Sequence, residues 1–118
     1  MKTMLRVQFH GMEASTAVEE RVRDYVARLE KIAAGLLSCR VMVSLEQKHQ
    51  HQGRPYSVRI DLTIAGQELV VNKVQDEDVY IALRDAFLVM RRRLEEFTAQ
   101  RSGASREHMR GKAVRKML

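Results

Sequence analysis

His49 and His51 stand two apart in Gln-Lys-His-Gln-His-Gln-Gly-Arg-Pro, a polar stretch without periodicity. In an extended segment that spacing puts both imidazoles on one side, as chelation requires, but a zinc site needs further ligands. No neighbouring Cys or carboxylate completes one, so these read as solvated loop histidines and no metal is expected. Cys39 falls on the inward phase of an alternating apolar run, where a thiol behaves as a small hydrophobe and not as a nucleophile. Asp76-Glu77-Asp78 could form a carboxylate site, but it immediately precedes a helical pattern. Acids there answer the positive end of the helix dipole. No glycine-rich phosphate loop is present. The sequence therefore predicts no catalytic residue, no metal and no cofactor.

The arginines offer a different chemistry, the recognition of phosphates. Arg91-Arg92-Arg93 opens the terminal stretch 91–118, with 9 Lys+Arg against 3 Asp+Glu, while residues 1–90 balance at 12 and 12. The net charge of +6 thus resides wholly in residues 91–118. A neutral body with a cationic end suits a polyanionic partner, nucleic acid before an anionic membrane. Helical neighbours point about 100° apart, so Arg91, Arg92 and Arg93 fan out, and Arg91 and Arg92 precede Glu95 and Glu96 at the spacing of an ion pair. Tyr80, Arg84 and Arg91 fall within one narrow arc of that helix. Arg21, Arg28 and Lys31 share a side of an earlier one. Should the two helices lie together, these flanks border one groove of guanidinium forks and a ring, suited to phosphates and unstacked bases.

The elements that would hold these residues are legible from hydrophobic phase. Leu5, Val7 and Phe9 alternate with polar residues as a half-buried strand. Ser15 and Thr16 offer N-caps, Thr16 and Glu19 have capping-box spacing, and Val18, Val22, Val26, Leu29 and Ala33 predict a helix near 15–34 ended by Gly35. Cys39–Leu45 and Tyr56–Ile64 alternate as strands. Ala65-Gly66-Gln67 predicts a turn into a fourth strand, Leu69–Val74. Val79, Leu83, Phe87, Met90, Leu94 and Phe97 form one helical stripe starting at the acidic run. Ser102-Gly103-Ala104-Ser105 breaks it. The prediction is an α+β domain of residues 1–101, β-α-β-β-β-α, with two helices packed on one face of a four-stranded, mostly antiparallel sheet. Residues 102–118 read as a basic, disordered tail, Arg106, Arg110, Lys112, Arg115 and Lys116 against Glu107. A lone cysteine and the absence of a ~20-residue apolar run point to a cytoplasmic protein without a membrane partner.

Asp78-Val79-Tyr80-Ile81-Ala82-Leu83 resembles the Asp-x-Tyr-x-Ala-Ile segment that opens the last helix of the short ribosome hibernation factors (hibernation promoting factor and ribosome-associated protein Y). Leu29-Glu30, Val43-Ser44-Leu45-Glu46-Gln47-Lys48 and Ile64–Glu68 follow in the family's order, and the resemblance covers about residues 4–97. It implies the same strand-helix-three-strand-helix fold and a non-enzymatic role. A member sits in the messenger and transfer RNA cleft of the small ribosomal subunit, contacts ribosomal RNA through basic residues and holds idle ribosomes inactive. Carried over by position, Arg28 and Arg92 match basic positions of the family. Arg84 stands where members carry an acid, Arg93 where they carry glutamine, and Glu95-Glu96-Phe97-Thr98-Ala99-Gln100 replaces a lysine-rich helix end. The expected RNA-binding set is Arg21, Arg28, Lys31, Tyr80, Arg84, Arg91, Arg92 and Arg93. The expected partners are the small subunit and its RNA, not DNA, and the free protein is expected to be a monomer of the short type, without the domain that pairs ribosomes. The rival expectation is a non-ribosomal regulatory module that binds another RNA or a protein through the exposed sheet face.

Overall fold

The order of elements is β1 (Met4–His10), α1 (Thr16–Ile32), β2 (Leu36–Leu45), β3 (Tyr56–Ile64), β4 (Gln67–Asp76) and α2 (Val79–Met117). This computed structural model describes residues 3–46 and 54–117, with side chains as far as Arg101. The expectation for His49 and His51 falls outside the described residues. The four strands form one sheet in the order β1-β2-β3-β4. β1 runs parallel to β2, across the α1 crossover, and the other two pairings are antiparallel.

The alternation seen in the sequence becomes rows across the sheet. Val7, Val41, Ile60 and Val71 are register partners, as are Leu5, Cys39, Leu62 and Leu69. Both rows face the helices, and the opposite rows, such as Arg6, Arg40, Asp61 and Val70, face away. Helix α1 covers β1 and β2, and α2 covers β3 and β4. Val18, Val22, Val26 and Leu29 of α1 meet Leu83, Met90 and Leu94 of α2 in a single core, all of them at most 2% exposed. Burying side chains of this size is the main favourable term, each contributing about 1.5–3 kcal/mol. The helices and strands thus form two layers around one core, the expected α+β architecture.

Local signals explain the ends. Ser15 alone caps α1, its hydroxyl accepting from the Val18 N–H at 3.2 Å, so the Thr16–Glu19 box is not the cap. Helix α1 ends at Ile32 with Ala33 extended, two residues before Gly35, so it turns off without a left-handed glycine. Asp78 caps α2, accepting from Tyr80 at 2.8 Å and Ile81 at 3.4 Å, while Asp76 accepts from the Asp78 N–H at 2.7 Å. The acidic run is thus a capping device. The β3–β4 turn has positive φ at both central residues, Ala65 (φ 49°) and Gly66 (φ 75°). That pair of angles is the signature of a type I′ hairpin. Gln67 is therefore paired with Ile64, not in the turn. In the β3–β4 ladder Val58 faces Val74 but Ile60 faces Val71, so β4 carries one extra residue, and Lys73 is left-handed there (φ 57°). Helix α2 also differs from its expected length. Its backbone continues through Ser102–Ser105. Only Gly103 opposes helix there, by about 1 kcal/mol, against a surrounding sequence that tolerates it.

Candidate nucleic-acid interface

The flank of α1 that carries Arg21 and Arg28 also carries Tyr25, three or four residues from each, so all three stack along one side. On α2 the matching flank is Tyr80, Arg84, Phe87, Leu88 and Arg91. The helices bring these flanks together in a parallel sense. The Arg21 guanidinium lies 4.9 Å from the centre of the Tyr80 ring, near both N-termini. Farther along, Tyr25 stacks on Phe87 at 4.9 Å and 14°. The Arg28 guanidinium in turn lies 5.5 Å from the Tyr25 ring centre. Arg28, Tyr25 and Phe87 thus form a chain of contacts that fixes a cation at the groove rim on an aromatic pair anchored in the core. Aromatic pairs contribute about 0.5–1.5 kcal/mol beyond their burial, and exposed cation–π contacts about 0.5–1 kcal/mol.

Between the flanks is a cavity of about 280 Å³ lined by Tyr25, Leu29, Phe87 and Leu88, with Arg28, Arg84 and Arg91 around it. Leu88 is 51% exposed, so the floor is apolar and reachable. Arg84 pairs with Asp85 at 3.1 Å and Arg91 with Glu95 at 3.3 Å, all four side chains being exposed. Exposed pairs of this kind contribute about 0–1 kcal/mol. They are weak enough to leave both guanidiniums open to a stronger acceptor such as a phosphate, which a guanidinium binds through two parallel hydrogen bonds.

The expected site residues divide three ways. Arg28, Arg84 and Arg91 border the cavity, and Arg21 with Tyr80 extends the groove toward the helix starts. Lys31 and Arg92 are exposed and make no hydrogen bond or ion pair among the described residues. Arg93 reaches the other way, donating from Nη1 to the Val70 carbonyl on the outer edge of β4. The triplet does fan out, and its third member meets a strand edge. Sequence reasoning missed Leu88 as part of the groove, although it stands four residues after Arg84 and three before Arg91. It also missed Tyr25 as a groove residue, although it stands four residues after Arg21 and three before Arg28.

Elsewhere, a second cavity of about 360 Å³ lies on the outer sheet face, lined by Met4, Arg6, Ser38, Arg40, Asp61, Thr63 and Glu68 among others. Its cations and acids are mixed, and Asp61 is already paired with Arg59 at 3.0 Å. Cys39 is buried, and desolvation, with the nearby negative charge of Asp61 second, pushes its thiol up to about 12. Such a thiol is not an activated nucleophile. Among the described residues no group of three His, Cys, Asp or Glu converges as metal ligands, and no helix is long and apolar enough to cross a membrane.

Known proteins share this fold. The N-terminal domain of Thermus thermophilus Protein Y superposes with a TM-score of 0.69 at 22% identity, over 80% of this chain and 98% of that one. A ribosomal subunit interface protein from Coxiella burnetii gives 0.71 at 11% identity, over 82% and 99%. At these identities both show the fold alone. No curated protein sequence matches the chain. The family profile described as sigma 54 modulation protein / S30EA ribosomal protein matches residues 5–102, which takes in nearly all of the sheet, α1 and the whole groove-forming part of α2. The chain belongs to the sigma 54 modulation protein / S30EA ribosomal protein family.

Proposed function

We propose that this protein is a non-enzymatic, cytoplasmic translation inhibitor. It binds the small ribosomal subunit as a monomer, occupies the cleft for messenger and transfer RNA, and stabilises idle ribosomes. The observation that carries the reading is the interhelical groove, where Arg28, Arg84 and Arg91 surround one cavity within the segment matched by the family. A fold shared with Protein Y and with a ribosomal subunit interface protein supports the same partner. In this mechanism the protein performs no chemistry. Arg84 and Arg91 exchange weak intramolecular ion pairs for ribosomal RNA phosphates, Arg28 adds its guanidinium from across the groove, and the bulk of the two-layer body excludes other occupants of the cleft. Arg21, held on Tyr80, Lys31 and Arg92 add phosphate contacts along the same helices, and Arg93 joins them only by leaving the β4 edge.

Co-sedimentation with ribosomes from stationary-phase cells tests the reading. The protein is expected in the small-subunit and ribosome fractions. Remaining at the top of the gradient at moderate salt sinks the proposal. Replacing Arg28, Arg84 and Arg91 together by Ala should weaken binding. It should also flatten the plot of log affinity against log salt, by about 0.7–0.9 for each phosphate no longer neutralised. The rival module, binding another RNA or a protein, draws on the cavity of the outer sheet face. An Arg6→Ala, Arg40→Ala variant that loses its partner while the groove variant keeps it would favour that rival.

A further inference from the structure

Phosphates alone do not account for the groove. Three cations that only tracked a backbone would serve equally well on a flat, polar surface. Here they ring an apolar recess, and a leucine on that recess is left half in water between two of them. Leu88 follows Arg84 by one helical turn and precedes Arg91 by nearly one, so the apolar contact is centred between the cations of α2. From across the groove Arg28 closes the third side, held by its contact with Tyr25. The recess measures about 280 Å³. Sites for drug-sized ligands start at roughly 300 Å³, so this one falls just below that class. One planar base fits such a space, and a base-paired helix does not.

From this arrangement we infer that the groove is a single-nucleotide seat. It takes one unstacked base of a single-stranded RNA segment against Leu88 and the rim of Tyr25, with the flanking phosphates held by Arg28, Arg84 and Arg91. The inference rests on the ribosomal RNA reading above and narrows it to unpaired RNA. Bases splayed out of a strand gain by contact with apolar and aromatic surfaces, and guanidinium planes also stack on them. Charge supplies the pull toward the groove, and the recess supplies the preference for an unpaired strand.

The test uses the full chain and two RNA probes of equal length, an unstructured single strand and a blunt duplex, titrated by fluorescence anisotropy over a range of salt. The single strand is expected to bind more tightly at every salt concentration. Leu88→Ala should weaken it on the order of tenfold, the loss from about two methylene groups no longer shielded from water, with the salt slope and the duplex affinity unchanged. Because Leu88 lies on the surface, the variant should melt like the unmodified protein, and Leu88→Met, which restores apolar reach, should recover the affinity. Equal binding of both probes, or a Leu88→Ala variant that binds the single strand normally, overturns the inference. So does a poly-glutamate peptide of matching charge that binds as well as the single strand, since the groove would then read charge only. The ribosome reading fails separately. A protein that binds the single strand yet stays off ribosomes keeps the seat and loses the proposed function, and one that co-sediments regardless of Leu88→Ala does the reverse.

Discussion

Single residues hold two conformational or chemical costs that the rest of the structure tolerates. Ala65 sits at positive φ in the type I′ turn. Asn is the favoured partner for the following glycine in such a turn. Ala65→Asn should therefore raise stability by about 1 kcal/mol, and with it the Tm by roughly 4–8 °C, the shift expected per kcal/mol in a domain of about this size. An unchanged or lower Tm would mean that the turn is not strained. The alternation around it announces a hairpin, but which residue of Ala65-Gly66-Gln67 pairs is fixed by the ladder, and only the structure shows Gln67 opposite Ile64. Cys39 carries the second cost. Its thiol is pushed up to about 12 from an ordinary value of 9.0 by burial and then by Asp61. The unfolded chain releases that proton near 9 and the folded chain retains it. Folding stability from this site is thus complete below the unfolded value and is lost as pH rises toward the folded one. Chemical denaturation across that window should show the unmodified protein weakening more steeply than Cys39→Ala. Parallel curves would place the thiol in contact with solvent.

Elements were more legible than their ends. Period-2 and period-3.6 phases suffice for four strands and two helices because one face of each element is buried in a common core. The ends depend on weaker local energies. Gln67, Glu68, Gln75 and Asp76 extend β4 beyond its apolar stretch because backbone pairing with β3 continues where side chains no longer report burial. The groove was half legible. Each helix displays its cationic flank in the sequence, but the relative placement that sets Arg28 beside Arg84 and Arg91, and turns Arg93 toward β4, comes from how the helices lie on the sheet. Leu83 tests the core that fixes this placement. It is fully buried in the packed part of α2. Leu83→Ala should cost about 2–5 kcal/mol. Thermal melting should fall sharply, and groove affinity should fall with it. A variant that melts normally would contradict the packing of α2 on β3 and β4.

At the scale of the whole molecule, charge and shape separate. The +6 net charge sits in residues 91–118, yet the groove is built mostly from residues of the neutral body. We propose that residues 102–118, net +4, act as an auxiliary RNA contact and not as part of the core domain. The family profile ends at residue 102, close to this division. Deleting 102–118 should leave the melting temperature nearly unchanged, because the described core ends with Phe97. It should also weaken RNA or ribosome binding several-fold at low salt and reduce the salt dependence. Equal affinities of the full and shortened chains would assign these residues no part in binding.

The extra residue in β4 gives this family member an unusual place to lose part of its chain. Between Val71 and Val74, both paired to inward positions of β3, stand two residues where a regular strand has one. Removing Lys73 would leave Val71, Asn72 and Val74 in simple alternation, with every core side chain still on its present face. It would also remove a left-handed backbone conformation that costs of order 1–3 kcal/mol in a non-glycine residue. Against that gain stands, among the described residues, a surface Lys73–Glu46 pair of 3.6 Å. Removing Asp61 from the middle of β3 would instead turn one end of that strand over, sending Leu62 and Ile64 toward water. We expect the Lys73 deletion to fold with near-native circular dichroism and the Asp61 deletion not to fold. Length variation among related sequences should accordingly be admitted at 72–73 and resisted along β3. Loss of folding in the Lys73 deletion would show that the kink itself, and not only the phase it preserves, is required to lay β4 beneath α2.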